Sequence, residues 1–194
     1  YDTEKKEWSA NATDDVKTLG NAMMATPMGT EAFIGLINSK TEITINIDEK
    51  TKPSGTGGAY AATKPELDKK GKVAYNDDGS YKKASITIYL RGFDDKKGRY
   101  STATKEEFLN ATGTHEKKHI DPEQIKKDEP CPNCWSTETK PINDEYDARN
   151  QYRSIYGGGT EWKTLYETPN RKRKDSTGSP RPGYYGNKKQ GGDQ

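Results

Sequence analysis

The sequence predicts an α+β fold: a small antiparallel sheet packed beside one helix that carries an HExxH motif and a second that carries acids, with disordered ends. Three observations lead there. Residues 42–48 and 85–90 alternate apolar and polar side chains with period two, the signature of half-buried strands. Apolar residues recur at helical spacing in four other stretches. Only 28% of residues are apolar against 32% charged, and the mean hydropathy is −1.21, so a large core is not available.

The elements follow in chain order. Residues 1–13 are polar and expected to be loosely held. Val16, Leu19, Met23 and Met24 mark a first helix, and Ala32, Phe33, Leu36 and Ile37 a second, separated by Pro27 and Gly29. The strand at 42–48 precedes a loop rich in Gly, Pro, Ser and Thr over 51–58. A short strand is expected at 72–75, then a turn at Asp77, Asp78, Gly79 and Ser80, and then the strongest strand, 85–90. Thr104 with Glu107 resembles a capping box opening a helix that runs through Phe108 and Leu109 to about Ile120, where Asp121 and Pro122 end it. A proline-flanked loop holds Cys131 and Cys134, and a last helix is expected from about Asn143 to Tyr156, stopped by Gly157, Gly158 and Gly159. Beyond Thr168 there is little to bury. The organisation expected is a flexible segment at 1–13, one domain at 14–167 and a disordered basic tail at 168–194.

Charge and hydropathy exclude some classes. With 32 basic and 30 acidic residues the net charge is +2, which gives no strong field for nucleic acid or a membrane surface. No apolar run has the length to span a bilayer, and the opening residues from Tyr1 to Lys6 do not read as a signal peptide. A start without methionine fits a piece of a longer polypeptide. Residues 171–189 hold seven basic side chains opposed only by Asp175, and a solvated tail is the plain reading of them.

The chain has two histidines, both inside His115, Glu116, Lys117, Lys118, His119. Four residues apart on a helix, they project from one face a turn apart and can share an ion. Phe108, Thr112, His115 and His119 form one stripe, with Leu109, Glu116 and Ile120 beside it and Lys117 and Lys118 turned away. Glu116 directly follows the first histidine, where a carboxylate can take a proton from a water activated by zinc. A catalytic zinc needs a third protein ligand. The last helix offers Asp144, Glu145 and Asp147, and of these Glu145 falls within the apolar stripe of Ala148, Tyr152, Ile155 and Tyr156. A buried acid there calls for a cation, so Glu145 is the expected ligand, with an ion pair to Arg149 as the alternative. Glu123 and Glu129 lie in a loop that fixes no direction.

This arrangement resembles a zincin metallopeptidase of the glutamate-ligand type, and more loosely the C-terminal metallopeptidase domains of bacterial polymorphic toxins and secreted effectors. The resemblance covers residues 85–156, and only its HExxH part is specific. It implies Zn2+ on His115, His119 and Glu145, with Glu116 as general base for hydrolysis of a peptide bond. It also implies a minimal zincin-like fold in which the strand at 85–90 is the edge strand beside the cleft, open to a protein or peptide substrate. Tyr152, Tyr156 or Arg153 would stabilise the oxyanion, Tyr152 being the catalytic residue expected alongside Glu116. The same resemblance implies a toxin or effector, secreted or delivered as part of a longer bacterial protein and guarded by a cognate immunity protein. The residues before the first histidine, Ala111, Thr112, Gly113 and Thr114, are smaller than zincins normally carry there.

Cys131 and Cys134, two residues apart, admit a local disulfide, redox exchange or zinc binding. The rival to the hydrolase uses them. His115, His119, Cys131 and Cys134 would close a structural zinc site with no room for a reactive water, making the chain a binding module. The two readings differ on Glu116, which is essential in the first and an ordinary acid in the second.

Overall fold

The computed structural model describes residues 1–2, 4–51, 60–94, 100, 102–130 and 135–157. The elements run α1 (Asp14–Met23), α2 (Pro27–Ile37), β1 (Glu42–Asp48), β2 (Ala61–Pro65), β3 (Lys83–Tyr89), α3 (Leu90–Asp94), α4 (Lys105–Lys118), α5 (Pro122–Asp128) and α6 (Trp135–Tyr156). The α+β class is as expected. The sheet, in order β1-β3-β2, is mixed rather than antiparallel: β3 runs parallel to β1 and antiparallel to β2. The segment expected at the edge is therefore the central strand. Alternation along a strand reports which face is buried, and carries nothing about neighbours in the plane of the sheet. The edge beside α4 belongs instead to β2, whose short Ala-Ala-Thr-Lys-Pro run has no apolar alternation to announce it. At 72–75 there are only isolated bridges, Leu67 to Val73 and Tyr75 to Tyr81.

Register places side chains in rows across the sheet. Ile45, Ile86 and Thr63 align, as do Ile47, Ile88 and Ala61. Ala84, Ile86 and Ile88 are fully buried on this face, which packs on the helices. The first helices are capped as their sequences require: Thr13 accepts from the Val16 amide at 3.3 Å, and Thr26, followed by Pro27, accepts from the Gly29 amide at 3.0 Å. The N-terminal segment, expected to be loose, sets Tyr1 against Trp8 at 4.9 Å between ring centroids and Trp8 against Phe33 at 5.6 Å.

At the centre of the molecule lies α4, buried from Glu107 through Glu116 on every side. That explains its small residues. A Cβ on Gly113 would come within 2.7 Å of Met23 Sδ and 3.0 Å of Leu19 Cδ1, so α1 crosses where only glycine leaves room. Asn110, fully buried, donates through Nδ2 to the carbonyls of Ala22 and Met23, both at 2.9 Å, and to Thr26 Oγ1 at 3.0 Å. It thereby ties the last turn of α1 to a neighbouring helix, adding to the backbone bonds those carbonyls accept from Ala25 and Thr26.

The last helix starts earlier than expected, at Trp135 rather than near Asn143, and runs through Pro141. A proline inside a helix leaves the carbonyl four residues back without its partner. Here that carbonyl is Thr137's, and the buried Gln124 of α5 donates to it at 2.5 Å. The helix ends where expected, with Gly157 at φ 94° and its amide donating to the Arg153 carbonyl at 2.9 Å. Residues 158–194, including the basic tail, lie outside the described residues, as do Cys131 and Cys134.

Candidate metal centre

Thr104 opens α4, its hydroxyl accepting from the Glu107 amide at 3.0 Å, and His119 closes it. The two histidines come off the last turn with their rings 5.2 Å apart and their Nε2 atoms 3.3 Å apart. The carboxylate that meets both is Glu138 of α6, whose Oε2 lies 3.3 Å from His115 Nε2 and 3.5 Å from His119 Nε2. Among the described residues, His115, His119 and Glu138 are the group that could hold a metal ion. The spacing tests that fit. A tetrahedral ion with ligands about 2.0–2.1 Å away sets neighbouring ligand atoms about 3.3–3.4 Å apart, and the three separations found are of that size. Two imidazoles and a carboxylate suit zinc and several other divalent ions.

Glu145 takes a different place from the one expected. It lies behind His115, with Oε2 3.0 Å from Nδ1, and its other oxygen accepts from the Tyr100 hydroxyl. It is 1% exposed and so faces inward as its stripe position implies, but towards the far nitrogen of the ring. His119 is held in the same way: Asp128 Oδ2 is 2.9 Å from its Nδ1, while Gln124 donates to Asp128 Oδ1 at 2.7 Å. A carboxylate accepting from Nδ1–H fixes the tautomer that leaves Nε2 with its lone pair free for a metal. The Arg149 guanidinium, offered as the alternative partner for Glu145, bonds Glu107 through Nε and lies 4.8 Å over the Tyr100 ring.

Glu116 is 4% exposed, and its Oε1 lies 3.9 Å from His115 Nε2. Its Oε2 accepts from the Thr63 hydroxyl of β2 at 2.7 Å. Lys117 and Lys118 turn away as expected, each reaching Asp121 at 2.7 Å.

The electrostatics favour a cation. Burial acts to lower the pKa of His115, but hydrogen bonds to Glu138 and Glu145 and the charge of Glu116 raise it to about 9. For His119, Asp128 and Glu138 outweigh burial in the same way and raise it to about 10. Burial acts to raise the pKa of Glu138, yet the two imidazoles hold its carboxyl well below the usual range. Four carboxylates thus surround two rings, an excess of negative charge suited to a divalent ion.

Three residues expected near the reaction are elsewhere. Tyr152 accepts from Thr104 Oγ1 at 3.3 Å, at the opposite end of α4, roughly 16 Å along the helix from His115 at 1.5 Å per residue. Arg153 bonds Glu107 at 2.7 Å and Thr102 at 2.9 Å, also at that end. Tyr156 donates to the Ala25 carbonyl at 3.2 Å and is mostly exposed. These side chains close the far end of the α4–α6 pair, because antiparallel packing carries the end of α6 away from the histidines.

Sequence spacing alone does not single out Glu138, Asp128 or Thr63. Glu138 lies two turns before Glu145 on the same face of α6, so extending that stripe through Pro141 would have reached it. No protein-family model, curated protein or solved structure matches this chain.

Proposed function

We propose that the chain is a zinc-dependent hydrolase acting on peptide bonds, with His115, His119 and Glu138 as ligands and Glu116 as general base. The observation that carries this reading is the triangle of Nε2, Nε2 and Oε2 atoms at 3.3, 3.3 and 3.5 Å, with the Glu116 carboxylate beside it. When bound, zinc supplies a Lewis acid that polarises a carbonyl and lowers the pKa of water towards about 7.

The protein supplies the rest. Glu145 and Asp128 lock the imidazole tautomers. Glu116 takes the proton of the attacking water and hands it to the leaving amine. Its low exposure keeps competing solvent from the carboxylate, and the side chain of Glu138, 30% exposed, marks the side from which substrate enters.

The edge strand supports a peptide as substrate. The Tyr60 carbonyl accepts from Tyr89 at 2.8 Å and the Glu66 amide donates to Lys83 at 3.0 Å, so the alternate residues Ala61 and Thr63 turn their backbone groups away from β3, to an edge on which no strand of the described residues pairs. An extended chain can pair there, next to Glu116.

Substituting Glu116→Gln tests the chemistry. The variant should keep one zinc per chain, by mass spectrometry, and lose cleavage of a peptide library by at least about a hundredfold. Cleavage at the wild-type rate would rule out the role given to Glu116.

A further inference from the structure

On the inner face of the sheet the row Ile45, Ile86 ends at Thr63, which puts a hydroxyl where its neighbours in the row are apolar. That hydroxyl lies 2.7 Å from Glu116 Oε2 and 3.1 Å from the Glu116 carbonyl oxygen. A hydroxyl has one proton to donate, and the closer, charged carboxylate is the stronger acceptor. Glu116 is 4% exposed, so little water can replace the donor if it is lost. With Oε2 held, Oε1 is the oxygen turned towards His115 Nε2.

We infer that Thr63 is a positioning residue, holding the Glu116 carboxylate towards the centre at which His115, His119 and Glu138 converge. Because the backbone of Thr63 also faces the outer edge of β2, where no strand of the described residues pairs, a peptide seated on that edge pairs with the residue that orients the base. The functional meaning of the contact rests on the hydrolase reading. The contact itself does not.

The test compares Thr63→Val and Thr63→Ser with wild type and with Glu116→Gln. Valine keeps the shape and β-branching that a strand favours, so folding and zinc content should be retained. A Thr63→Ala and Thr63→Ser pair serves if valine overpacks the row. Two readouts are taken: the position of Glu116 in crystals of the variant, and the affinity of the zinc-loaded protein for acetohydroxamic acid, which chelates a catalytic metal and gives a proton to a neighbouring carboxylate. In Thr63→Val, Glu116 should leave its position and affinity should fall about tenfold, the loss of one hydrogen bond to a charged group. Thr63→Ser should restore both.

An unmoved Glu116 with unchanged affinity in Thr63→Val, alongside weakened binding in Glu116→Gln, overturns the inference and leaves the hydrolase reading standing. If Glu116→Gln binds acetohydroxamic acid as wild type does, the hydrolase reading fails instead, and the assigned role of Thr63 falls with it.

Discussion

Single residues decide what kind of centre this is, and the sharpest contrast is between the two glutamates of α6. Glu138 meets both Nε2 atoms, whereas Glu145 sits on Nδ1 of His115 behind the ring. Removing a ligand abolishes a three-ligand site, while removing a carboxylate that orients a ligand weakens it by about 10–100-fold. Glu138→Ala should therefore lose its zinc, and Glu145→Ala should retain it with weaker affinity, both read by titration against a competing chelator. Loss of zinc in Glu145→Ala with retention in Glu138→Ala would reverse the assignment. The histidines and Glu116 were legible in the sequence because their spacing falls within one helix, where periodicity fixes direction. Glu138 was not, because the helix expected from about Asn143 begins after it, whereas α6 starts at Trp135 and runs through Pro141. The proline's tolerance there depends on Gln124 reaching Thr137 from another helix, a tertiary contact that no local rule contains.

At the scale of elements, α4 holds together because its neighbours leave no polar group stranded. Asn110 serves two carbonyls of α1 and the capping hydroxyl of α2 at once. Asn110→Ala should destabilise the protein by about 1–3 kcal/mol, since it removes the hydrogen bonds that tie α4 to the end of α1 and opens a small void, although the two carbonyls keep their backbone donors. Urea unfolding would measure this, and a loss under about 0.5 kcal/mol would remove Asn110 from that role. A second test concerns the turn leading into β3. Burial, then Glu129, raises the Tyr75 pKa to about 12, and burial, then Asp128 and Glu129, does the same for Tyr81. Unfolded phenols ionise near about 10. The stability gained from keeping these two neutral is present below about pH 10 and is lost as pH rises through about 12. An absorbance titration should show tyrosines titrating late, and unfolding should become easier between those limits. Combining Tyr75→Phe with Tyr81→Phe should shrink the late phase by the amplitude of two phenols. The strands and helices were largely legible from period and caps, but the central place of β3 and the existence of β2 and α5 were not. Short elements with weak patterns are fixed by what they lie against.

For the whole molecule, the choice between the proposed catalytic zinc site and a structural one becomes a question about folding. Leu19, Met23, Phe33, Ile86, Ile88 and Phe108 form a fully buried core that does not involve the metal centre. Each imidazole is also held by a carboxylate on its Nδ1 side, a contact that needs no ion. The chain should therefore fold without zinc, unlike a small module whose zinc site supplies its folding energy outright. Zinc would still stabilise it by joining the end of α4 to the start of α6. At a free concentration about a thousandfold above Kd, linkage gives about 4 kcal/mol, or roughly 8–16 °C in Tm for a chain of this size. Thermal melts with zinc and with chelator should show that shift in wild type and none in Glu138→Ala. Hydrogen exchange should slow at the histidine end of α4 and around Glu138 far more than in α1 and α2. Cooperative unfolding of the whole domain on chelation would instead favour a structural site built with Cys131 and Cys134. A full shift surviving in Glu138→Ala would deny Glu138 its place as a ligand.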